Sequence, residues 1–134
     1  MGDIVLVDQT ILQPPNGDCG AACLATLFGV PLHQVPNLDH DGWEDTVSEW
    51  AARFGLWVLN VSPWSTQGGP PGFALAGVQS RRGDWMHCVI FKDGELFHDP
   101  NPDRASHPPY TVADVKEWTF FVARDPRGGT DGLS

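Results

Sequence analysis

The chain has 134 residues, and its 17 acidic and 8 basic side chains give a formal net charge of −9. This length is typical of one domain, and a hydrophobic content of 41% with six tryptophans excludes a disordered chain. The acidic balance argues against nucleic acid or an anionic membrane as partner, because both attract basic surfaces, and no apolar run is long enough to span a bilayer.

The first half of the chain predicts two helices. Residues 4–7 predict an edge strand or an extended lead-in, and residues 13–17 predict a loop. Residues 19–28 predict the first helix and residues 41–54 the second, and residues 31–36 between them predict a short connection with one helical turn. Asp18 is a favourable N-cap for the first helix, and Gly29 is a favourable stop. Because apolar residues surround most of this helix, we expect it to be buried on nearly all sides.

The second half predicts β-structure. We expect strands over residues 56–61, 73–78, 86–91, 95–99 and 119–123, and a helix or turn over 112–118. Helices that precede an antiparallel meander indicate an α+β fold, with the N-terminal helices packed on the sheet. We assign residues 1–124 to a single domain and the Gly-rich residues 125–134 to a flexible C-terminal tail.

The three cysteines fit no even disulfide framework, so we expect thiols in a reducing, cytoplasmic compartment. Cys19 stands at the first position of the predicted helix, where unpaired N–H groups and the positive dipole end favour a thiolate. Cys23 lies one turn further on, and Cys88 points to the face of its strand opposite His87, so both are predicted to be core residues. Cys19 is therefore the candidate nucleophile.

A thiolate needs a proton partner, and His87 is the best candidate because it begins an apolar strand. A three-residue turn over residues 92–94 places Asp99 directly opposite His87, where its carboxylate orients the imidazole. A two-residue turn would separate the two side chains. Asn101, two residues further on, is the alternative orienting group.

Gln13 completes the set. It lies in a loop that must double back to the helix start, where its amide is placed to join the Cys19 backbone N–H as an oxyanion hole. Gln9 is the alternative for this role.

The chain resembles the papain-like cysteine peptidases of the bacteriocin-processing (C39-like) kind. The resemblance lies in Gln13, in the segment 16–25 around Cys19, and in the later His87 and Asp99-Pro100. More closely, the chain resembles small uncharacterised phage and bacterial proteins. The resemblance covers roughly residues 9–103. It implies a papain-like (C39-like) fold and cleavage of a peptide or isopeptide bond without cofactor or metal, in the cytoplasm of a bacterium or of a phage-infected host. It also implies a role for each of four residues: Cys19 as nucleophile, His87 as base, Asp99 as orienting group and Gln13 in the oxyanion hole.

Three other classes of function stay open. The same apparatus forms thioesters that pass to an amine or to water, so an acyltransferase or amidase is an alternative. A catalytically inactive papain-like binding protein is another, because a fold does not establish a function. A zinc site is the third, built from Cys19, Cys23, His87 and His98, although the Cys-x3-Cys spacing on a helix is unusual for zinc.

The acidic charge is concentrated at the start of the chain. Eight acidic residues and no basic one precede Arg53. The segment 31–45 carries four of these acids and follows the nucleophile helix, so we expect it to border the cleft, with apolar walls from Trp43, Trp64 and Trp85. Plain solubility is one explanation of this charge; the other is an acidic rim that favours a basic peptide or protein substrate.

Overall fold

A computed structural model describes residues 4–11, 17–62 and 69–124. It contains two α-helices, α1 (Cys19–Phe28) and α2 (Trp43–Ala52). It also contains the five strands β1 (Leu56–Val61), β2 (Phe73–Gln79), β3 (Met86–Lys92), β4 (Glu95–His98) and β5 (Val115–Ala123). The prediction of an α+β chain with its helices on an antiparallel sheet is confirmed. Within the described part of the chain, neither helix could cross a lipid bilayer, and the predicted tail over residues 125–134 lies outside that part.

The strand order is β1-β5-β2-β3-β4, so the expected simple meander is wrong. The last strand inserts between β1 and β2. It can take a central place because it is apolar towards both faces of the sheet: Trp118 packs in the core on one face and Phe121 against the core on the other. Strand β1 remains at the edge and exposes Trp57 and Leu59 to solvent.

The helix or turn predicted over 112–118 is wrong beyond Asp114. Only Val112–Asp114 form a 3₁₀ turn, and β5 begins at Val115. Pairing with β2 jumps from Glu117 to Val115, which leaves Lys116 as a bulge. Because a bulge adds one residue, Val115 and Trp118 come to the same face at a spacing of three, which imitates a helical period.

The helices cover one face of the sheet, and the second core lies on the other. On the helix face, buried side chains of α1 and α2 such as Leu24 and Trp50 pack against Leu75 and Ile90 of the central strands. On the opposite face, the irregular segment after β4 contributes Tyr110 to the second core. Strands β2 and β3 are therefore buried on both sides, which explains their continuous apolar sequences.

Helix α1 has the predicted bounds, and Gly29 ends it with a left-handed φ of 68° and an N–H donated to the Ala25 carbonyl at 2.9 Å. Asp18 occupies the N-cap position, but the expected side-chain cap is absent. Its carboxylate instead accepts hydrogen bonds from the backbone N–H groups of Thr10, at 2.8 Å, and Ile11, at 2.9 Å. This carboxylate thereby fixes the non-helical lead-in segment against the start of α1.

The turn between β3 and β4 has two residues and not the three predicted. Lys92 pairs with Glu95, and both turn residues adopt positive φ, 52° for Asp93 and 83° for Gly94. The register then shifts by one more residue at Phe97 on β4. The shorter turn moves the register by one residue from the predicted one, and the bulge moves it by one more in the same direction. Because a shift of two residues keeps a side chain on the same face, the side chains after β4 lie on the predicted face of the sheet.

Replacing Cys23 by alanine tests the packing of α1. The Cys23 side chain is fully buried, so we expect Cys23→Ala to lower the free energy of unfolding by about 1 kcal/mol through the lost volume. Urea unfolding followed by tryptophan fluorescence measures this. Cys19→Ala is the control, because its less buried side chain should cost less stability than the fully buried Cys23. Equal losses in the two variants would contradict this packing.

Candidate active site

Three of the predicted site residues come together at one end of the sheet. Helix α1 presents Cys19 at its first position, β3 presents His87, and the segment after β4 presents Asp99. The His87 Nε2–H group donates to Asp99 Oδ1 at 2.7 Å, and the two side chains are only 7% and 6% exposed. Since Nε2 is occupied, Nδ1 is the ring nitrogen left for the hydrogen bond between His87 and Cys19. Thiol, imidazole and carboxylate therefore form one connected chain.

The direct cross-strand pairing predicted for His87 and Asp99 is wrong, but the contact itself is present. With Ile90 opposite His98, extension of the register sets Asp99 opposite Val89, two residues along β3 from His87 and on the same face. A diagonal neighbour is still within reach of a histidine side chain. The bulge on β4 thus preserves the contact that a two-residue turn alone would have broken.

Asp99, and not Asn101, faces the imidazole. The Asp99 Oδ1 atom also accepts the Asn101 backbone N–H at 3.0 Å, which holds the carboxylate in place. The Asn101 side chain turns away, with its amide nitrogen 3.3 Å from His107 Nε2. Arg104 donates to the backbone carbonyls of Asp99 at 3.2 Å and Asn101 at 3.0 Å, and so fixes the segment that carries the carboxylate.

Cys88 lies on the face of β3 opposite His87, as predicted, and packs against the core on the helix side, but it also lines the cavity beside Cys19. It is half-buried, its thiol hydrogen-bonds to Cys19, and its backbone does so as well. A Cβ atom built on Gly20 would lie 3.6 Å from Cys88 Sγ. Alternation does separate His87 and Cys88, but α1 begins directly over this end of β3, so both neighbours reach Cys19. The position of the helix decides this contact, and no local pattern in the sequence announces it.

Hydrogen bonding makes Cys19 the acidic thiol of the three. The thiol of Cys88 donates to Cys19 and lowers the Cys19 pKa most; burial opposes this, and the hydrogen bond and charge of His87 lower the pKa further. The pKa of Cys88 is raised well above its usual value by that same hydrogen bond and by burial. Burial also raises the pKa of Cys23. Of the three thiols, Cys19 is therefore the one whose ionisation its surroundings favour.

The imidazole is poised to carry the matching positive charge. Burial by itself would lower the pKa of His87, but hydrogen bonds with Asp99 and Cys19 and the charges of both raise it to about 9. Burial likewise opposes ionisation of Asp99, and the hydrogen bonds from His87 and the Asn101 N–H outweigh it, so the Asp99 pKa is lowered. The lowered pKa of Cys19 and the raised pKa of His87 together favour a thiolate beside a protonated imidazole.

Of the two glutamines that are candidates for the oxyanion hole, the structure describes Gln9. Gln13 lies outside the described residues. Gln9 is buried, with 5% exposure, and lines the same cavity as Cys19. Its Nε2 donates to the Ile11 carbonyl at 3.0 Å, and its buried Oε1 has no hydrogen-bond partner in the described chain. The unpaired Oε1 suits a donor group, so Gln9 can serve an oxyanion hole only through the second proton of its Nε2 atom.

A cavity of about 550 Å³ opens beside Cys19. Its walls and floor come from the loop before α2, from α2, from the start of β3 and from the sheet, and include Leu38, Asp39, Asp41, Trp43, Gly77, Trp85, Met86 and Glu117. Trp43 and Trp85 occupy the wall positions predicted for them, and Trp64 lies outside the described residues. Among the described lining residues three are acidic and none is lysine or arginine.

The four residues of the zinc alternative do not form one group. His98 Nε2 lies 2.8 Å from the Val7 carbonyl oxygen and 3.4 Å from Asp8 Oδ1, so its ring serves the lead-in segment. Cys23 donates to the Cys88 carbonyl at 3.4 Å. Within residues 4–11, 17–62 and 69–124, no three histidine, cysteine or acidic side chains are arranged to hold a metal ion.

Comparisons of the chain with known proteins gave no match, whether to a family model, to a curated protein or to a solved structure.

Proposed function

We propose that this protein is a papain-like cysteine hydrolase that cleaves a peptide or isopeptide bond. The observation that carries the proposal is the buried His87–Asp99 hydrogen bond at 2.7 Å together with the interaction of His87 with Cys19, which lines a cavity large enough for substrate side chains. The nucleophile stands at the first position of a buried helix, and the base stands on the neighbouring strand. This is the arrangement that the resemblance implies.

The chemistry follows from these positions. The Cys19 thiolate attacks the carbonyl carbon of the scissile bond, and the carbonyl electrons move to the oxygen. The Cys19 backbone N–H and a second donor, assigned to Gln13, stabilise that oxyanion. His87 gives its Nδ1 proton to the departing amine, which leaves a thioester on Cys19. His87 then removes a proton from water, the resulting hydroxide attacks the thioester, and the free acid and the thiolate are released.

Asp99 acts on the imidazole and not on the substrate. By accepting the Nε2–H bond it keeps the ring in the orientation and tautomer that point Nδ1 at the sulfur. An acyltransferase or amidase would use the same thioester and differ only in the group that accepts the acyl chain. Product analysis by mass spectrometry with and without an added amine separates hydrolysis from transfer.

The lining of the cavity favours basic or neutral substrates. Asp39, Asp41 and Glu117 line it, and such a concentration of one sign of charge attracts the opposite sign. The nearby Arg81 is engaged elsewhere: its guanidinium pairs with Asp114 at 2.9 Å and stacks over Tyr110. The attraction should weaken with added salt.

Selective alkylation identifies the nucleophile. Iodoacetamide at neutral pH should modify Cys19 before Cys23 and Cys88, because only Cys19 has a lowered pKa. Peptide mapping by mass spectrometry reads this out. Cys19→Ala should abolish turnover, whereas the core variant Cys23→Ala should retain it. Preferential modification of Cys23 or Cys88 would contradict the assignment.

The pH profile tests the role of Asp99. Since the departing amine needs a proton from His87, kcat/KM should fall as the pH rises through about 9, the pKa of His87. Asp99→Asn removes the largest influence that raises this pKa, so the alkaline limb should move to lower pH. Asn101→Ala is the control and should leave the limb in place. The opposite pattern, a limb that responds only to Asn101→Ala, would exchange the two roles.

Paired variants test the oxyanion hole. Gln13→Ala should lower kcat by about 10²–10³ with little change in substrate binding, the usual effect of removing one such donor. Gln9→Ala should instead act mainly on KM, because its unpaired group is an acceptor. A large fall in kcat for Gln9→Ala with an unchanged kcat for Gln13→Ala would transfer the role to Gln9.

A further inference from the structure

A row of three residues crosses the floor of the cavity. Gly77 on β2 pairs with Cys88 on β3 and with Glu117 on β5. Paired residues on neighbouring strands point to the same face, so all three share the face on which Cys88 contacts Cys19. Because strands lie about 4.8 Å apart, the Glu117 backbone is roughly 10 Å from that of Cys88.

The middle of this row is open because Gly77 has no side chain. A Cβ atom built there would have only Met86 Cε, at 3.7 Å, and the Glu117 carbonyl oxygen, at 3.9 Å, as near neighbours. The space above Gly77 thus connects the nucleophile to the Glu117 carboxylate. A span of roughly 10 Å between backbones suits a long side chain with a polar end.

Glu117 is an unusual carboxylate for this position. It is half-buried in the cavity lining, and its carboxylate takes part in none of the side-chain hydrogen bonds or ion pairs that the structure shows among the described residues. Asp39, in contrast, accepts the Gly17 N–H at 2.9 Å. A partly desolvated charge without a partner costs free energy, which a bound cation would offset.

Two other features of the cavity suit the same ligand. The buried Gln9 Oε1 lacks a donor in the described chain, and an N–H group of the substrate would supply one. Trp43 and Trp85 give aromatic walls, against which the methylene groups of a long basic side chain can pack.

We propose that Glu117 makes this cavity a subsite for a lysine or arginine side chain next to the scissile bond. The methylene groups of that side chain lie over Gly77, and its cationic end pairs with Glu117. This inference rests on the proposed function and deepens it by naming the residue that sets substrate preference.

Labelling of Cys19 by matched electrophiles tests the subsite without requiring turnover. The reagents are N-acetylated peptidyl vinyl sulfones that differ only in the residue beside the electrophile: lysine, arginine, norleucine or glutamate. The second-order rate of labelling is followed by intact mass. We expect the wild-type protein to react about 10-fold or more faster with the lysine and arginine reagents than with the norleucine reagent.

Two variants of Glu117 and one control sharpen the test. Glu117→Gln keeps the shape and removes the charge, so the ratio of lysine to norleucine rates should fall to near one. Glu117→Lys should make the glutamate reagent the fastest. Glu95→Gln removes the same charge from an exposed position on β4 and should keep the wild-type ratio.

The cation that pairs with Glu117 can come from a side chain or from the N-terminal amine of a peptide. Two further reagents, one with lysine and one with norleucine, each with a free N-terminal amine, distinguish these two sources. A preference that follows the free amine, and not the side chain, would overturn the proposed subsite. So would equal rates for lysine and norleucine in a protein whose Cys19 labels readily. If no reagent, including iodoacetamide, modifies Cys19 ahead of the other cysteines, the proposed function fails and the subsite fails with it.

Discussion

The packing of α1 across the start of β3 is the constraint on which the rest of the site depends. It brings the first residue of a buried helix, Cys19, against two successive residues of a central strand, His87 and Cys88. The core behind this contact is continuous, with Leu24 and Ile90 fully buried. Since such a core resists local shifts, the sulfur and the imidazole are held in position before any substrate arrives.

Three thiols close together acquire three different chemistries from their surroundings. Cys23 is buried in the helix and stays a neutral core residue. Cys88 donates its proton towards Cys19, so it holds that proton more tightly while making its neighbour more acidic. Burial works against ionisation of Cys19. The hydrogen bond from Cys88 and the hydrogen bond and charge of His87 outweigh it, so the Cys19 pKa is lowered.

In the proposed hydrolase, reactivity and selectivity have separate sources. Cys19 and His87 would supply the nucleophile and the acid. The sheet floor beyond them, with Gly77 open and the Glu117 carboxylate unpaired among the described residues, would select the substrate by charge and length. The two parts are adjacent because Cys88, which lies beside Cys19, belongs to the same cross-strand row as Gly77 and Glu117.

The sequence by itself determined the features that depend on local physics. The bounds of α1, with Gly29 as its stop, and the place of Cys19 at its first position follow from residues close in the chain. The choice of Asp99 rested on a three-residue turn that the structure does not have, and the contact with His87 exists because the bulge on β4 offsets the shorter turn. Tertiary structure decided the insertion of β5, the bulges on β4 and β5, and the approach of Cys88 and Glu117 to the cleft. These depend on pairings between distant residues, and a one-residue bulge reverses the face of every side chain beyond it without leaving a distinct local signal.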